Sequence, residues 1–207
     1  MVDYIISNKE DFDRERSKKD QIFKPNLLFP DNLFFDDFYG FLFFESDFIY
    51  TSTFLSGIQI FIKKIKNSFF TFYSISPEAD EYFFNNFGKY GVATFTINDN
   101  HEVYKKNLHR DFDQKRGDSL SISGETVAIF SDSLDWGMVA SKNWEIGIVG
   151  FKSDRIKELY IDSFKENVGS GKIFDTIDSY IKEYDSMFHW EEDIKNEWNK
   201  LKKNYSR

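Results

Sequence analysis

Apolar positions along the chain switch repeatedly between two periods, and the switches lay out a mixed set of helices and strands. From Thr53 to Lys66, Phe54, Ile58, Phe61, Ile62 and Ile65 recur at steps of three and four, with Lys63, Lys64 and Lys66 at the end where cations suit the helix dipole. That spacing predicts an amphipathic helix. Ser68 to Ile75 (SFFTFYSI) is short and rich in aromatic and β-branched residues, which predicts a strand buried on at least one face. Ser76-Pro77-Glu78 then offers an N-cap, a proline at the first helical position and an acid in the first turn, so a helix is expected to about Phe87, stopped by Gly88.

Gly91 to Ile97 alternates as a strand and ends in Asn98-Asp99-Asn100. The polar stretch from His101 to Gly124 suggests one short helix near Val103 to Leu108 and then a loop. Three strand-like runs follow, Thr126 to Ser131, Trp136 to Ser141 and Trp144 to Phe151, the last two joined at Lys142-Asn143 as in a hairpin. Ser153 is a suitable N-cap for a helix over 154–166, and Gly169-Ser170-Gly171 breaks the chain. A long final helix is expected from about Thr176 to Asn204, with its stripe at Ile177, Ile181, Tyr184, Met187, Trp190, Ile194, Trp198, Leu201 and Tyr205. The predicted class is α+β: a mainly antiparallel sheet of about five strands with flanking helices and a long C-terminal amphipathic helix.

Toward the N-terminus the pattern is less regular. Residues 9 to 21 are nearly all charged, and Pro25 and Pro30 interrupt any helix after them. This 1–32 segment is expected to pack on, or lead into, a single globular domain spanning 1–207. Leu33 to Phe48 (LFFDDFYGFLFFESDF) is too apolar to be exposed and must pack against something.

Composition changes this picture in one respect. Apolar residues make up 41% and charged residues 30%, ordinary for a folded chain, but there are 25 Phe, 11 Tyr and 4 Trp. So many rings are expected to over-supply one core and to reach the surface, where they favour an interface. The absence of cysteine excludes disulfides, thiol nucleophiles, iron–sulfur clusters and the usual structural zinc sites, and suits a reducing cytoplasm. The first residues lack the basic start and apolar run of a signal peptide, and no apolar stretch approaches a membrane span. A net charge of −8 disfavours nucleic acid and would steer a basic protein toward the chain.

Catalytic signatures fail one by one. His109-Arg110-Asp111 matches the opening of a kinase catalytic loop, but Arg116 stands where that loop needs a metal-binding Asn, and the glycine-rich loop and Asp-Phe-Gly are missing. Asp185, His189 and Asp193 would share one helical face, but three ligands in a line cannot surround a metal. The carboxylate pairs Asp36 with Asp37, Glu45 with Asp47, and Asp132 with Asp135 are not selected by spacing, and acids in such places more often mark a solvent side or a cap. Gly169-Ser170-Gly171-Lys172 lacks the spacing of a phosphate loop. No cofactor and no metal are expected.

The most distinctive segment is Ile129 to Phe151, where Trp136 and Trp144 frame a hairpin preceded by Asp132 and Asp135. Its plain reading is a central hairpin whose indoles close the core. Its sharper reading is an aromatic and acidic surface for a protein partner, built from Asp132, Asp135, Trp136 and Trp144. The order strand, acidic turn, Trp, strand, Trp-Glu, strand resembles small uncharacterised bacterial cytoplasmic proteins, among them immunity-type proteins of toxin–immunity systems. The resemblance covers about a tenth of the chain and implies a non-enzymatic inhibitor that occludes a toxin through an acidic face. The expected function is binding of a protein partner, such as a basic toxin or a second copy of the chain. The alternative is an enzyme or small-molecule binder with a carboxylate and aromatic site.

Overall fold

The structure is a computed structural model that describes residues 3–113, 117–165 and 174–206. Six strands, β1 (Tyr39–Glu45), β2 (Phe69–Ser76), β3 (Val92–Thr96), β4 (Thr126–Phe130), β5 (Trp136–Ser141) and β6 (Ile146–Phe151), form one sheet in the order β1-β6-β5-β4-β2-β3. Every neighbouring pair is antiparallel. The expected α+β class is observed. The sixth strand is β1, the part of the apolar 33–48 stretch that pairs with β6. The edges are covered by short bridges: Ile5 pairs with Ala93 on β3, and Asp175 with Phe43 on β1, which leaves less unpaired backbone to template aggregation.

Helices lie on both faces. On the first, α2 (Ser52–Lys64), α4 (His101–Leu108) and α6 (Asp154–Lys165) place Phe54, Phe61, Tyr104, Tyr160 and Phe164 over Phe70, Phe72, Ile129, Trp136 and Phe151. On the second, α1 (Lys9–Lys19), the loop carrying Phe23 and Phe34, α7 (Ile177–Phe188) and α8 (Glu192–Tyr205) cover Tyr73, Phe130, Val139, Ile146 and Ile148. A sheet covered on both faces has no solvent side, and so β4, β5 and β6 are buried at every position rather than at alternate ones.

Two cores take up the aromatic surplus. Among the described residues Tyr39 and Phe84 are exposed and Trp144, Tyr184 and Trp190 are among those half-buried, so some rings reach the surface as expected, while most fill two cores because the sheet is covered on both faces. Each such side chain removed from water contributes roughly 1.5–3 kcal/mol. Glycines make the room. Phe44 lies opposite Gly147 in the β1–β6 ladder, and a side chain at 147 would overlap its ring. In the same way a Cβ at Gly150 would come 2.7 Å from the ring of Phe41.

Three local departures have clear causes. The helix expected at Ser76 starts later, because Ser76 stays in the β2–β4 ladder opposite Thr126; a π-helical turn, Ala79–Phe84, runs into α3 (Asn85–Phe87) and ends at Gly88 with φ +66°. The polar stretch after α4 contains the single turn α5 (Leu120–Ser123), capped by Ser119. The C-terminal amphipathic helix is present but divided, since His189 takes a left-handed conformation (φ +49°, ψ +58°) and α8 restarts at Glu192. The Tyr205 hydroxyl at the end of α8 accepts from the Leu33 N–H and donates to the Asp31 carbonyl, and Asn204 Nδ2 donates to the Pro30 carbonyl. These bonds tie the C-terminal helix to the N-terminal loop, so the charged N-terminal segment belongs to the second core.

Candidate functional site

The four residues singled out by sequence do not converge. β5 separates them: Asp132, Asp135 and Trp136 lie at its start and Trp144 in the turn after its end, roughly 20 Å of strand away. Trp136 is fully buried in the first core, against Phe61 and Tyr160, and its indole N–H donates to Ser131 Oγ at 2.9 Å. A side chain with no exposed area cannot contact a partner, so the reading of Trp136 as an interface residue is corrected. Asp132 is exposed but paired at 2.5 Å with Lys18, which also bonds the buried carboxylate of Glu15 at 2.7 Å. Glu15 in turn accepts from the Thr71 hydroxyl at 2.7 Å. A buried carboxylate persists only when paired, so this network is a clamp between α1, β2 and the β4–β5 turn.

Trp144 belongs to a different constellation. The β5–β6 connection is a four-residue turn rather than the two-residue one expected, closed by the Glu145 N–H donating to the Lys142 carbonyl with Glu145 at φ +53°. The Glu145 carbonyl accepts from the Ser46 N–H at 3.1 Å and from the Tyr180 hydroxyl at 3.0 Å, which anchors the turn against α7. Trp144 is thereby held edge-on to Trp198 of α8, 5.5 Å between ring centres.

The break between α7 and α8 supplies the next ring. His189 donates its N–H to the Asp185 carbonyl, and the Trp190 N–H donates to Asp185 Oδ1 at 3.2 Å. This reversal stacks Trp190 on Trp198 at 4.8 Å, with Tyr180 stacked on Trp198 at 5.7 Å and on Tyr184 at 4.4 Å. Trp198 is nearly buried at the centre; Trp144, Tyr184 and Trp190 are half-buried around it. Together they line a groove of about 470 Å³. Glu145, Asp193 and Glu197 form its rim, all exposed, and no Lys or Arg lines it among the described residues. Among the described residues none of these three carboxylates has an ion-pair partner. Asp193 and Glu197 are one helical turn apart on α8, so they present to the same side.

Aromatic faces carry negative charge density, and a cation held over a Trp or Tyr face gains about 0.5–1 kcal/mol when exposed and about 2 kcal/mol or more when desolvated. Three carboxylates at the rim add Coulomb attraction over a longer range. Rings and carboxylates in this arrangement suit the chemistry of a cationic, partly apolar group such as an arginine or lysine side chain. Sequence reasoning found Trp144 and the acidic turn motif, but assigned Trp190 and Trp198 to one uninterrupted helix stripe.

Other candidates resolve differently. Another cleft, about 570 Å³, lies between α1 and the end of β2. Its cations are all engaged: Arg16 with Asp80 at 3.0 Å, Lys19 with Asp20 at 2.7 Å and Lys24 with Asp36 at 3.0 Å. Asp37 pairs with Lys152 at 2.9 Å. Asp185, His189 and Asp193 do not share a helical face, because the helix breaks at His189, and among the described residues no group of three potential ligands is placed to hold a metal. His109 ends α4 with Nδ1 2.6 Å from Ser121 Oγ, which is 3.1 Å from Ser119 Oγ. Burial, then Lys105 and Lys142, push its imidazole below the usual value; no carboxylate bonds this ring among the described residues, so the pair lacks the orienting acid of a hydrolytic triad. Gly169-Ser170-Gly171-Lys172 lies outside the described residues. No helix among the described residues is long and apolar enough to cross a membrane.

No family model, curated protein or solved structure matches this chain.

Proposed function

We propose that the chain is a non-enzymatic binding protein whose groove between the β5–β6 turn and α7–α8 receives a basic side chain of a protein partner. The observation that carries the reading is the convergence of Trp144, Tyr184, Trp190 and Trp198 beneath the carboxylates of Glu145, Asp193 and Glu197, which have no ion-pair partner among the described residues. The net charge of −8 supports it, since long-range attraction to a basic partner speeds encounter. Occlusion of a basic toxin, as the resemblance to immunity-type proteins implies, is the specific form of this function that we favour.

The test uses the full chain as bait in host extract beside an Asp193→Lys/Glu197→Lys double variant. Both substitutions are at exposed positions, and an unchanged thermal midpoint verifies that the fold is intact. A basic protein retained by the wild type, lost from the variant and released by raised salt supports the reading. Equal retention by both baits, or no stoichiometric partner on the wild type, overturns it.

A further inference from the structure

A second groove lies on the other flank of α7. It has a volume of about 350 Å³ and shares Tyr184 with the first, while its own wall residue Tyr180 stacks on Trp198 of the first groove. Its walls include Phe48, Phe174 and Met187, and its carboxylates are Glu45, Asp175 and Glu183. Among the described residues, Glu45 and Glu183 are exposed without an ion-pair partner, and no Lys or Arg lines this groove. Asp175 is held in place, its Oδ1 accepting from the Thr176 N–H at 2.6 Å while its backbone pairs with Phe43 at the sheet edge. Met187 is 55% exposed, and a flexible thioether side chain in an open groove adapts to an incoming apolar stem.

Exposed acids without an ion pair also occur elsewhere among the described residues, as at Glu10, Glu81 and Glu158; what sets this face apart is that its acids border aromatic grooves with no Lys or Arg among their described lining. Glu45, Glu145, Glu183, Asp193 and Glu197, without an ion-pair partner among the described residues, form a run of acids that follows the two aromatic grooves across α7. A solvated acidic face by itself has no need of apolar grooves beneath it. Here each group of acids stands over one, and the cationic side chains that fit such a place are those with a long apolar stem.

From this continuity we propose that the two grooves act together, so that the partner is a basic segment laying one Arg or Lys into each across α7. The inference rests on the proposed function of the first groove and adds its geometry. A helix is about 10–12 Å across with side chains, and an extended chain covers that distance in about three to four residues. The recognised element therefore carries two cationic side chains about three or four positions apart in extended conformation, and the affinity of the pair exceeds that of either alone because the second contact is intramolecular.

Two synthetic peptides test this against the full chain at low salt, one with two arginines four positions apart in a Gly-Ser background and one with the second arginine replaced by serine. Binding is read from indole fluorescence and by titration calorimetry. The two-arginine peptide is expected to bind at least about tenfold more tightly. Glu183→Lys, exposed and outside the first groove, is expected to remove that advantage and leave the single-arginine peptide unaffected. Equal affinity of the two peptides, or an advantage that survives Glu183→Lys, overturns the two-groove inference while the first groove stands. Failure of both peptides to bind, with no effect of Asp193→Lys/Glu197→Lys, overturns the underlying reading as well.

Discussion

Replacing Trp136 with Phe separates a core tryptophan from an interface tryptophan. The indole is fully buried, packed edge-on against Phe61 at 5.3 Å between ring centres, and donates to Ser131 Oγ, itself 1% exposed. The substitution shrinks the ring and leaves a void. Partial truncations in cores cost less than the roughly 3–5 kcal/mol of a full Trp→Ala change, so about 1–2 kcal/mol is assigned to the cavity. Losing the hydrogen bond adds about 1 kcal/mol. The expected total of about 2–3 kcal/mol corresponds to a fall in Tm of about 4–12 °C for a chain of this size. Ser131→Ala leaves the indole N–H buried without its acceptor and is expected to cost about 1–2 kcal/mol. The double variant should cost less than the sum by about 1 kcal/mol, because both single changes break the same bond. Equilibrium urea unfolding of the four proteins gives the cycle. A Trp136→Phe variant within about 0.5 kcal/mol of wild type, or strict additivity, would refute the placement of this residue at the centre of the first core.

Further expectations follow from equally local features. Gly57 faces the ring of Phe164 where α2 crosses α6, and a Cβ there would fall well inside van der Waals contact with a ring that Phe48, Phe54, Tyr160 and Phe174 hold in place. Gly57→Ala is therefore expected to destabilise by about 1–3 kcal/mol despite the better helix propensity of alanine; a rise in Tm would sink the argument. The depressed pKa of His109 means that the unfolded chain takes up this proton first as pH falls. Its contribution is fully present above the ordinary value of 6.5 and is lost as pH falls through the lowered native value. The stability difference between wild type and His109→Gln should shrink between pH 7.5 and 5 in urea titrations, and a difference independent of pH would count against a neutral ring hydrogen-bonded to Ser121. At the groove, Trp190→Ala should weaken binding of the single-arginine peptide at least about fivefold, the loss of about 1 kcal/mol expected for one cation–π contact, with only a small change in Tm because the ring is half-buried; unchanged affinity would exclude that ring from recognition.

Local sequence fixed the elements whose signals are carried by near neighbours. The three-and-four spacing of Phe54, Ile58, Phe61 and Ile62 is α2, the aromatic run around Phe70 and Phe72 is β2, and Ser153 caps α6 with its Oγ accepting from the Ile156 N–H. Asn100 and Ser119 cap their helices in the same manner. Such bonds are made within a few residues, so the chain encodes them directly. Of the groove residues only Trp144 is singled out in the sequence, beside its turn; Trp198 reads there as part of a helix stripe that packs the core.

Tertiary structure decided what depends on partners distant in the chain. An exposed-looking surplus of phenylalanine became two cores because the sheet is covered on both faces, a property of layer packing to which no single segment refers. Trp136 and Trp144 are eight positions apart and similar in local context, yet the first is sealed by α2 and α6 and the second opens onto α8. The left-handed turn at His189, stabilised by Asp185, brings Trp190 back onto Trp198 and turns a helix stripe into a groove. Residues from the β5–β6 turn, α7 and α8 meet there across some fifty positions of sequence. Their chemistry was present in the sequence throughout; only the fold set the carboxylates above the rings.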